Sequence, residues 1–301
     1  MSFSTDHTPI SNRRQDTILP HYDMRLFFIA IAFSFMTQAE TLSIETLKPG
    51  LDVGIIVTDI DKAKTFYGDV LGLKQTAILP MPDGSTMYRY QTGASTVKLR
   101  AIPKAAKYSG AVREAVGFRL LTFYLDDFDG VLKRWAAGGG EPPRVMDAGS
   151  NGAKFTFIAD PDGNQIELVN RDSGRIAIGL TVSDVEKSRE FYGKVLGIRE
   201  EPPEALALLN GAKKYTFTAG KTTIKFWAGA SENLPKHTGN ITDAIGFRYF
   251  TFLVKDVDAT REILKSRGAK IAVEPLDFGK IARIMMVADP DGNWVEFAAP
   301  K

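Results

Sequence analysis

The chain repeats itself, and this repetition limits what it can fold into more than any other feature. Gly54-Ile55-Ile56-Val57-Thr58-Asp59 matches Gly179-Leu180-Thr181-Val182-Ser183-Asp184 at an offset of 125 (184 minus 59). Phe66-Tyr67-Gly68 and Val70-Leu71-Gly72 return at that offset as Phe191-Tyr192-Gly193 and Val195-Leu196-Gly197. Gly117-Phe118-Arg119 returns as Gly246-Phe247-Arg248 at an offset of 129, as does Asp160-Pro161-Asp162-Gly163-Asn164 as Asp289-Pro290-Asp291-Gly292-Asn293. So many shared anchors with only four inserted residues mean duplication. The copies span 48–170 and 174–300, joined by the short polar link Arg171-Asp172-Ser173.

Each copy contains the same grammar twice. Alternating Val53, Ile55 and Val57 read as a strand, and Thr58 or Asp59 caps a helix that carries Ala63, Phe66, Tyr67, Val70 and Leu71 on one face until Gly72 stops it. Short strands are expected near 86–91 and 95–100. Leu121, Phe123 and Leu125 then begin a second strand, Asp126 or Asp127 caps a second helix that stops at Gly138–Gly140, and strands near 154–159 and 164–169 close the copy. The expected class is therefore α+β, with four βαβββ modules. Just before the last strand of each copy, Asp-Pro-Asp-Gly reads as a tight turn, since Pro presets φ and Gly takes the left-handed position. Alternation after that turn puts Ile166 and Leu168 on one face and Glu167 on the other. Glu296 between Val295 and Phe297 repeats the pattern.

A net charge of +2 gives no electrostatic case for nucleic acid. The absence of cysteine excludes disulfides and thiolate chemistry. Before the repeats, Arg25 is followed by an apolar run of 11 residues, Leu26–Met36, and then by Thr37-Gln38-Ala39. A basic start, a short apolar run and a small-residue end resemble a secretory signal peptide, and the run is too short to span a bilayer. Residues 1–39 are thus expected to be an N-terminal extension and signal peptide, with Met1 or Met24 as start. The mature chain would begin near Glu40 in a periplasmic or extracellular compartment, away from the membrane. A helix buried in the fold is the competing expectation for this segment.

Val-Thr-Asp-(x)6-Phe-Tyr-x-x-Val-Leu-Gly-Leu with a terminal Asp-Pro-Asp-Gly-Asn-x-Ile-Glu-Leu resembles the vicinal oxygen chelate superfamily, the glyoxalase, bleomycin-resistance and extradiol-dioxygenase group. The resemblance covers nearly all of 48–300, twice. It implies two tandem glyoxalase-like domains in which pairs of modules form cups that open on a metal or a ligand, the metal being held at four cup-facing strand places. In the first copy those places hold Asp52, Lys98, Leu120 and Glu167, and in the second Ala177, Lys225, Tyr249 and Glu296. Only the terminal glutamates match the family pattern. If the copies exchange modules, one cup gathers Asp52, Lys98, Tyr249 and Glu296, and the other Leu120, Glu167, Ala177 and Lys225. None of the three histidines, His7, His21 and His237, falls at a ligand place.

A catalytic divalent metal needs about three protein ligands around an open position, usually with imidazole among them. The residues at these places instead set an ammonium group beside a carboxylate, so no cofactor is expected. A divalent metal on the oxygens of Asp52, Glu167 and Glu296 is the alternative. Asp52, Lys98, Glu167, Lys225, Trp227, Tyr249, Trp294 and Glu296 are the expected ligand-binding set, with the two tryptophans placed to stack on a flat or apolar ligand. An ion pair serving stability alone accounts for the lysines and glutamates equally well. Arg119 and Arg248 are candidates to clamp an anion, or else solvated residues at strand edges. The connecting segments 101–116 and 228–245 differ most between copies and are the expected seat of specificity.

The function expected is binding of a small molecule in a cup without the family's usual metal set, by a monomer or homodimer. The rivals are a metal-dependent lyase or dioxygenase with unusual oxygen ligands, a metal-free enzyme using Glu296, Tyr249 and Lys98, and a structural module with no ligand-sized pocket.

Overall fold

The first strand-and-helix unit shows how the sequence builds each module. Strand β1 (Asp52–Val57) is buried along its whole length. The Asp59 side chain then accepts from the backbone N–H groups of Asp61 and Lys62 and so caps α1 (Ile60–Lys64). The helix widens into a π-helical stretch, Thr65–Val70, in which the adjacent rings of Phe66 and Tyr67 are both buried. Gly72, at φ +74°, ends it. Strands β2 (Lys74–Pro80), β3 (Thr86–Thr92) and β4 (Ser95–Ala101) complete the module. The third module repeats these devices: β9 (Ile176–Val182), a helix Val185–Arg189 capped by Asp184 with its own π stretch Glu190–Val195, then β10 (Arg199–Leu206), β11 (Ala212–Ala219) and β12 (Thr222–Ala228).

The second and fourth modules carry longer helices without the π turn. One runs β5 (Gly117–Tyr124), helix Phe128–Ala137, β6 (Met146–Asp147), β7 (Lys154–Ala159) and β8 (Gln165–Val169). The other runs β13 (Gly246–Leu253), helix Val257–Ser266, β14 (Ile271–Phe278), β15 (Ala282–Ala288) and β16 (Trp294–Pro300). This computed structural model describes residues 44–107, 110–147, 152–206, 211–236 and 239–301. The signal-like segment and all three histidines therefore lie outside the described residues.

The sheets do not follow the sequence copies. One eight-stranded sheet has the order β14-β15-β16-β13-β1-β4-β3-β2 and joins the first module to the fourth. The other, β10-β11-β12-β9-β5-β8-β7-β6, joins the second to the third. Of the two arrangements left open by the sequence, the modules thus take the exchanged one. The joints are antiparallel, β1 on β13 with Gly54 opposite Tyr249, and β5 on β9 with Leu120 opposite Gly179, each with a β-bulge beside the glycine's partner or the glycine itself.

Polar clasps run the other way, within each copy. Tyr67 donates to Asp160 Oδ2 at 2.9 Å, and Tyr192 to Asp289 Oδ2 at 2.7 Å. The backbone N–H of Thr58 reaches Asp162 at 3.1 Å, and that of Ser183 reaches Asp291 at 3.0 Å. The Asp-Pro-Asp-Gly turns therefore tie the strand end and helix of one module to the turn of the next, while the sheets tie the copies to each other. Side chains from both sheets, among them Val53, Ile55, Leu99, Leu121, Phe123, Ile166, Ile178, Phe226, Phe250 and Phe297, share one apolar core. The opposite faces of the same strands carry the residues considered next.

Candidate functional site

On the non-core face of the first sheet, strand register sets Gly54 beside Lys98, Tyr249 beside Trp294, and Thr251 beside Glu296. Between Lys98 on β4 and Glu296 on β16 lie two strands, β1 and β13, so the two Cα positions would stand about 14 Å apart in a flat sheet. Their side chains nevertheless meet: Lys98 Nζ donates to Glu296 Oε2 at 3.0 Å and to Thr251 Oγ1 at 2.7 Å. The Thr251 hydroxyl lies 2.5 Å from the same Glu296 oxygen. Gly54 lies on the path between them and offers no side chain. The ring of Tyr249 covers Gly54 so closely that a Cβ there would overlap it. The Lys98 ammonium stands 5.0 Å from the Tyr249 ring centroid, in cation–π range.

The second sheet repeats the arrangement. Lys225 Nζ donates to Glu167 Oε2 at 2.5 Å, and Thr122 Oγ1 bonds that oxygen at 2.6 Å. Gly179 takes the place of Gly54, with Leu120 in that of Tyr249. Each glutamate therefore pairs with the lysine of the other copy. The threonines are residues the sequence reading passed over, although Leu-Leu-Thr-Phe (120–123) and Tyr-Phe-Thr-Phe (249–252) carry them at the same offset of 129 and on the glutamate's face.

Burial makes these pairs electrostatically strong. Desolvation, the largest single influence, lowers the Lys98 pKa, but Glu296, Tyr249 and Asp52 together outweigh it and hold the ammonium above its ordinary range. Burial raises the Glu167 pKa, and Lys225 overrides it, leaving the carboxyl below its usual value. The Tyr249 phenol is pushed up by burial.

Asp52 turns away from this centre. Its Oδ1 accepts the Thr96 backbone N–H at 2.8 Å and pairs with Lys48, while Arg89 approaches Oδ2 at 3.6 Å. Trp294 packs on a small apolar cluster with Met286, Ile284 and Ala298, and its indole donates to Gly239 O at 2.9 Å. Trp227 is only 2% exposed, and its indole N–H has no hydrogen-bond partner among the described residues. Ala177 is buried. Arg119 and Arg248, expected as an anion clamp or as solvated edge residues, are each 7% exposed. Arg248 donates to the carbonyls of Ile241 and Asn240, at 3.2 and 3.1 Å, and so holds the short turn before β13. The solvated alternative fails because both lie inside paired central strands.

Residues 51–168 and 174–297 each match the Glyoxalase/Bleomycin resistance protein/Dioxygenase superfamily. The chain belongs to that superfamily. Among its relatives, lactoylglutathione lyase of Pseudomonas aeruginosa is 31% identical over 143 residues, 39% of this chain and 77% of the relative. Lactoylglutathione lyase GLX1 of Arabidopsis thaliana is 25% identical over 262 residues, 78% of this chain and 86% of the relative. The crystal structure of glyoxalase I from Zea mays superposes with a TM-score of 0.67 at 19% identity, over 85% of this chain and 92% of that one. The last of these shows the fold alone.

The superfamily's divalent metal does not fit these side chains. Asp52 and Glu296 share a sheet but Glu167 lies in the other, so that oxygen set does not converge. Glu296 and Glu167 already accept from an ammonium and a hydroxyl, and among the described residues no group of three or more His, Cys, Asp or Glu is placed to hold an ion. In each sheet a lysine ammonium pairs with the terminal glutamate instead.

Proposed function

We propose that the protein binds a small organic molecule in the cup of the first sheet, with the Lys98–Glu296–Thr251 centre as its polar anchor and no metal. The observation that supports this reading is the Lys98 ammonium bonded to the terminal glutamate. Lys98 has a third N–H to offer a ligand, and Glu296 a second oxygen. Around them, Tyr249, Trp294 and Met286 supply apolar surface on the fourth-module side, while Arg89 and Arg100, paired with Asp52 and Asp83, line the first-module side. Such a wall suits a ligand with one polar and one apolar end.

Elemental analysis of the purified mature chain, with thermal shift against divalent ions, tests the metal-free part. Near-stoichiometric Fe, Zn, Ni or Mn removes it. The similarity to two lactoylglutathione lyases favours a second reading, an enzyme acting through the same centre. Turnover of a glyoxalase-type substrate that Glu296→Gln abolishes, with the fold intact, would establish that reading. We also propose export, on the signal-like segment 24–39; a mature N-terminus near Glu40, read by mass spectrometry, is expected, and an intact N-terminus in the secreting host's cytoplasm refutes it.

A further inference from the structure

Each sheet ends in two edge strands, and among the described residues three of these four edges are guarded. An edge presents backbone N–H and C=O groups that can pair with another chain, and proteins blunt it with charge, proline or shortness. Strand β10 carries Arg199, Glu200, Glu201 and Glu204 around Pro202-Pro203, and β14 carries Glu274, Pro275 and Asp277. Strand β6 has only two residues, Met146 and Asp147. The fourth edge, β2, differs. Between Lys74 and Pro80 it reads Gln-Thr-Ala-Ile-Leu, with neither charge nor proline, and it is bonded on one side alone, to β3. All three long edges have an irregular register, so bulging does not tell them apart.

This edge also has an apolar side chain left to bury. Ile78 is 54% exposed, more than Leu47, Val145 or Leu276, the other large apolar residues that face solvent among the described residues. Register carries Ile78 to Tyr88 and on to Leu99, which is in the core, so Ile78 lies on the convex face of the sheet and not in the cup. At the tip of the β2–β3 hairpin, Pro82 lies against Gly279 of the β14–β15 turn, where an added Cβ would stand 3.7 Å from it, so the open edge ends before the tip. Charge sits only at the margins: Lys74 opens the strand, and Asp83, its carboxylate half-exposed, follows it. A strand with a cation at one end and an anion beyond the other complements itself when it runs antiparallel to its own copy.

We propose that the β2 edge is a dimer interface, at which two copies of this chain pair antiparallel about a two-fold axis at Ile78. A two-fold contact sets each residue against its image across the axis. Ile78 then lies opposite the partner's Ile78, Ala77 opposite the partner's Leu79, and Lys74 opposite the partner's Pro82, beside the partner's Asp83. Directly opposed apolar side chains stabilise such a pair, and the first sheets of the two copies become one continuous sheet. The contact lies outside both cups and does not rest on the function proposed for the Lys98 centre. So short an interface should associate reversibly. In sedimentation equilibrium the mass of the full chain should rise with concentration from 33.1 kDa towards twice that value. Ile78→Lys sets like charges opposite each other and should weaken the dimer by at least about tenfold, whereas Leu276→Lys, on the guarded β14 edge, should leave it unchanged. The chain has no cysteine, so Ile78→Cys provides a second probe, which decides the matter if the lysine variant does not fold. Oxidation by copper–phenanthroline should link that variant into a disulfide dimer, since directly opposed strand residues lie within disulfide reach, and should leave Leu276→Cys unlinked. A mass that stays at 33.1 kDa at every concentration, a dimer that survives Ile78→Lys, or equal cross-linking of Leu276→Cys overturns the proposal.

Discussion

The two sheets are duplicates that kept one set of residues and changed another. Both retain a glycine at the centre, Gly54 or Gly179, and a lysine–glutamate–threonine group around it. They differ at four surrounding places: Tyr249 against Leu120, Asp52 against Ala177, Arg100 against Trp227, and Trp294 against Gln165. The shared set spans strands from both copies, so it joins the modules as well as lining the cup. The changed set makes separate contacts in each sheet: Asp52 bonds the Thr96 backbone and Lys48, and Trp294 bonds Gly239 O. A bonded ammonium in both sheets makes the lysine–glutamate pair a shared part of the architecture, while the residues around it differ.

Removing the shared cation is the most severe way to test this. Lys98→Met strands Glu296 in a cup where its side chain is 11% exposed, at an expected cost of about 3–5 kcal/mol in urea unfolding. Lys98→Met with Glu296→Met should recover most of the loss. Lys225→Met should cost less, toward about 3 kcal/mol, because Lys214 also acts on Glu167. An equal or larger loss in the second sheet would show that Lys214 gives no relief. The Lys98 pKa is raised above the ordinary 10.5, so its contribution is complete below that pH and disappears as pH rises through the folded value. The alkaline limb of the stability curve should flatten in the double variant.

The same comparison shows how much was legible in sequence. Duplication, the βαβββ grammar and the inward glutamates follow from short-range periodicity, which each strand carries in itself. Which glutamate meets which lysine depends on β1 choosing β13 over a strand of its own copy, a long-range choice that alternation does not encode. Trp294 and Trp227 both fall on the expected face, yet one is tied to Gly239 O and the other is sealed with a bare N–H, because neighbouring loops decide what a strand residue touches. Thr122 and Thr251 were readable from their repetition, but a hydroxyl beside a carboxylate announces itself only once the partner is known.

The central glycines give a smaller, sharper contrast. Gly54→Ala puts a methyl into the Tyr249 ring and must displace it, whereas a Cβ on Gly179 would sit 2.8 Å from Leu120 Cβ and 3.2 Å from Trp227. Both overpack, at about 1–3 kcal/mol, with Gly54→Ala at the upper end. Loss of the Lys98–Tyr249 contact should accompany it, visible as a changed Tyr249 environment in near-UV circular dichroism. If Gly179→Ala proves the costlier, the second cup is the tighter of the two.

The clasps offer the mildest break, and one with a pH signature. Asp289 accepts four bonds, from the backbone N–H groups of Asp291 and Asn293 and from the side chains of Asn293 and Tyr192. Burial nevertheless pushes its pKa up to about 6, from an ordinary 3.8. The folded value lies above the unfolded one, so ionised Asp289 opposes folding above pH 6. That cost fades as pH falls from about 6 towards 3.8, the reverse of Glu167, whose lowered pKa loses stability in acid. Tyr192→Phe removes one donor to the carboxylate and should cost about 1.5 kcal/mol at neutral pH. At a pH of about 5 the carboxyl is largely neutral, and a neutral acceptor gains less from the phenol, so the loss should shrink. Tyr67→Phe should follow the same direction through Asp160, whose pKa burial also raises. An equal loss at both pH values would mean that Asp289 stays ionised in the folded chain, its four donors outweighing the desolvation that surrounds it.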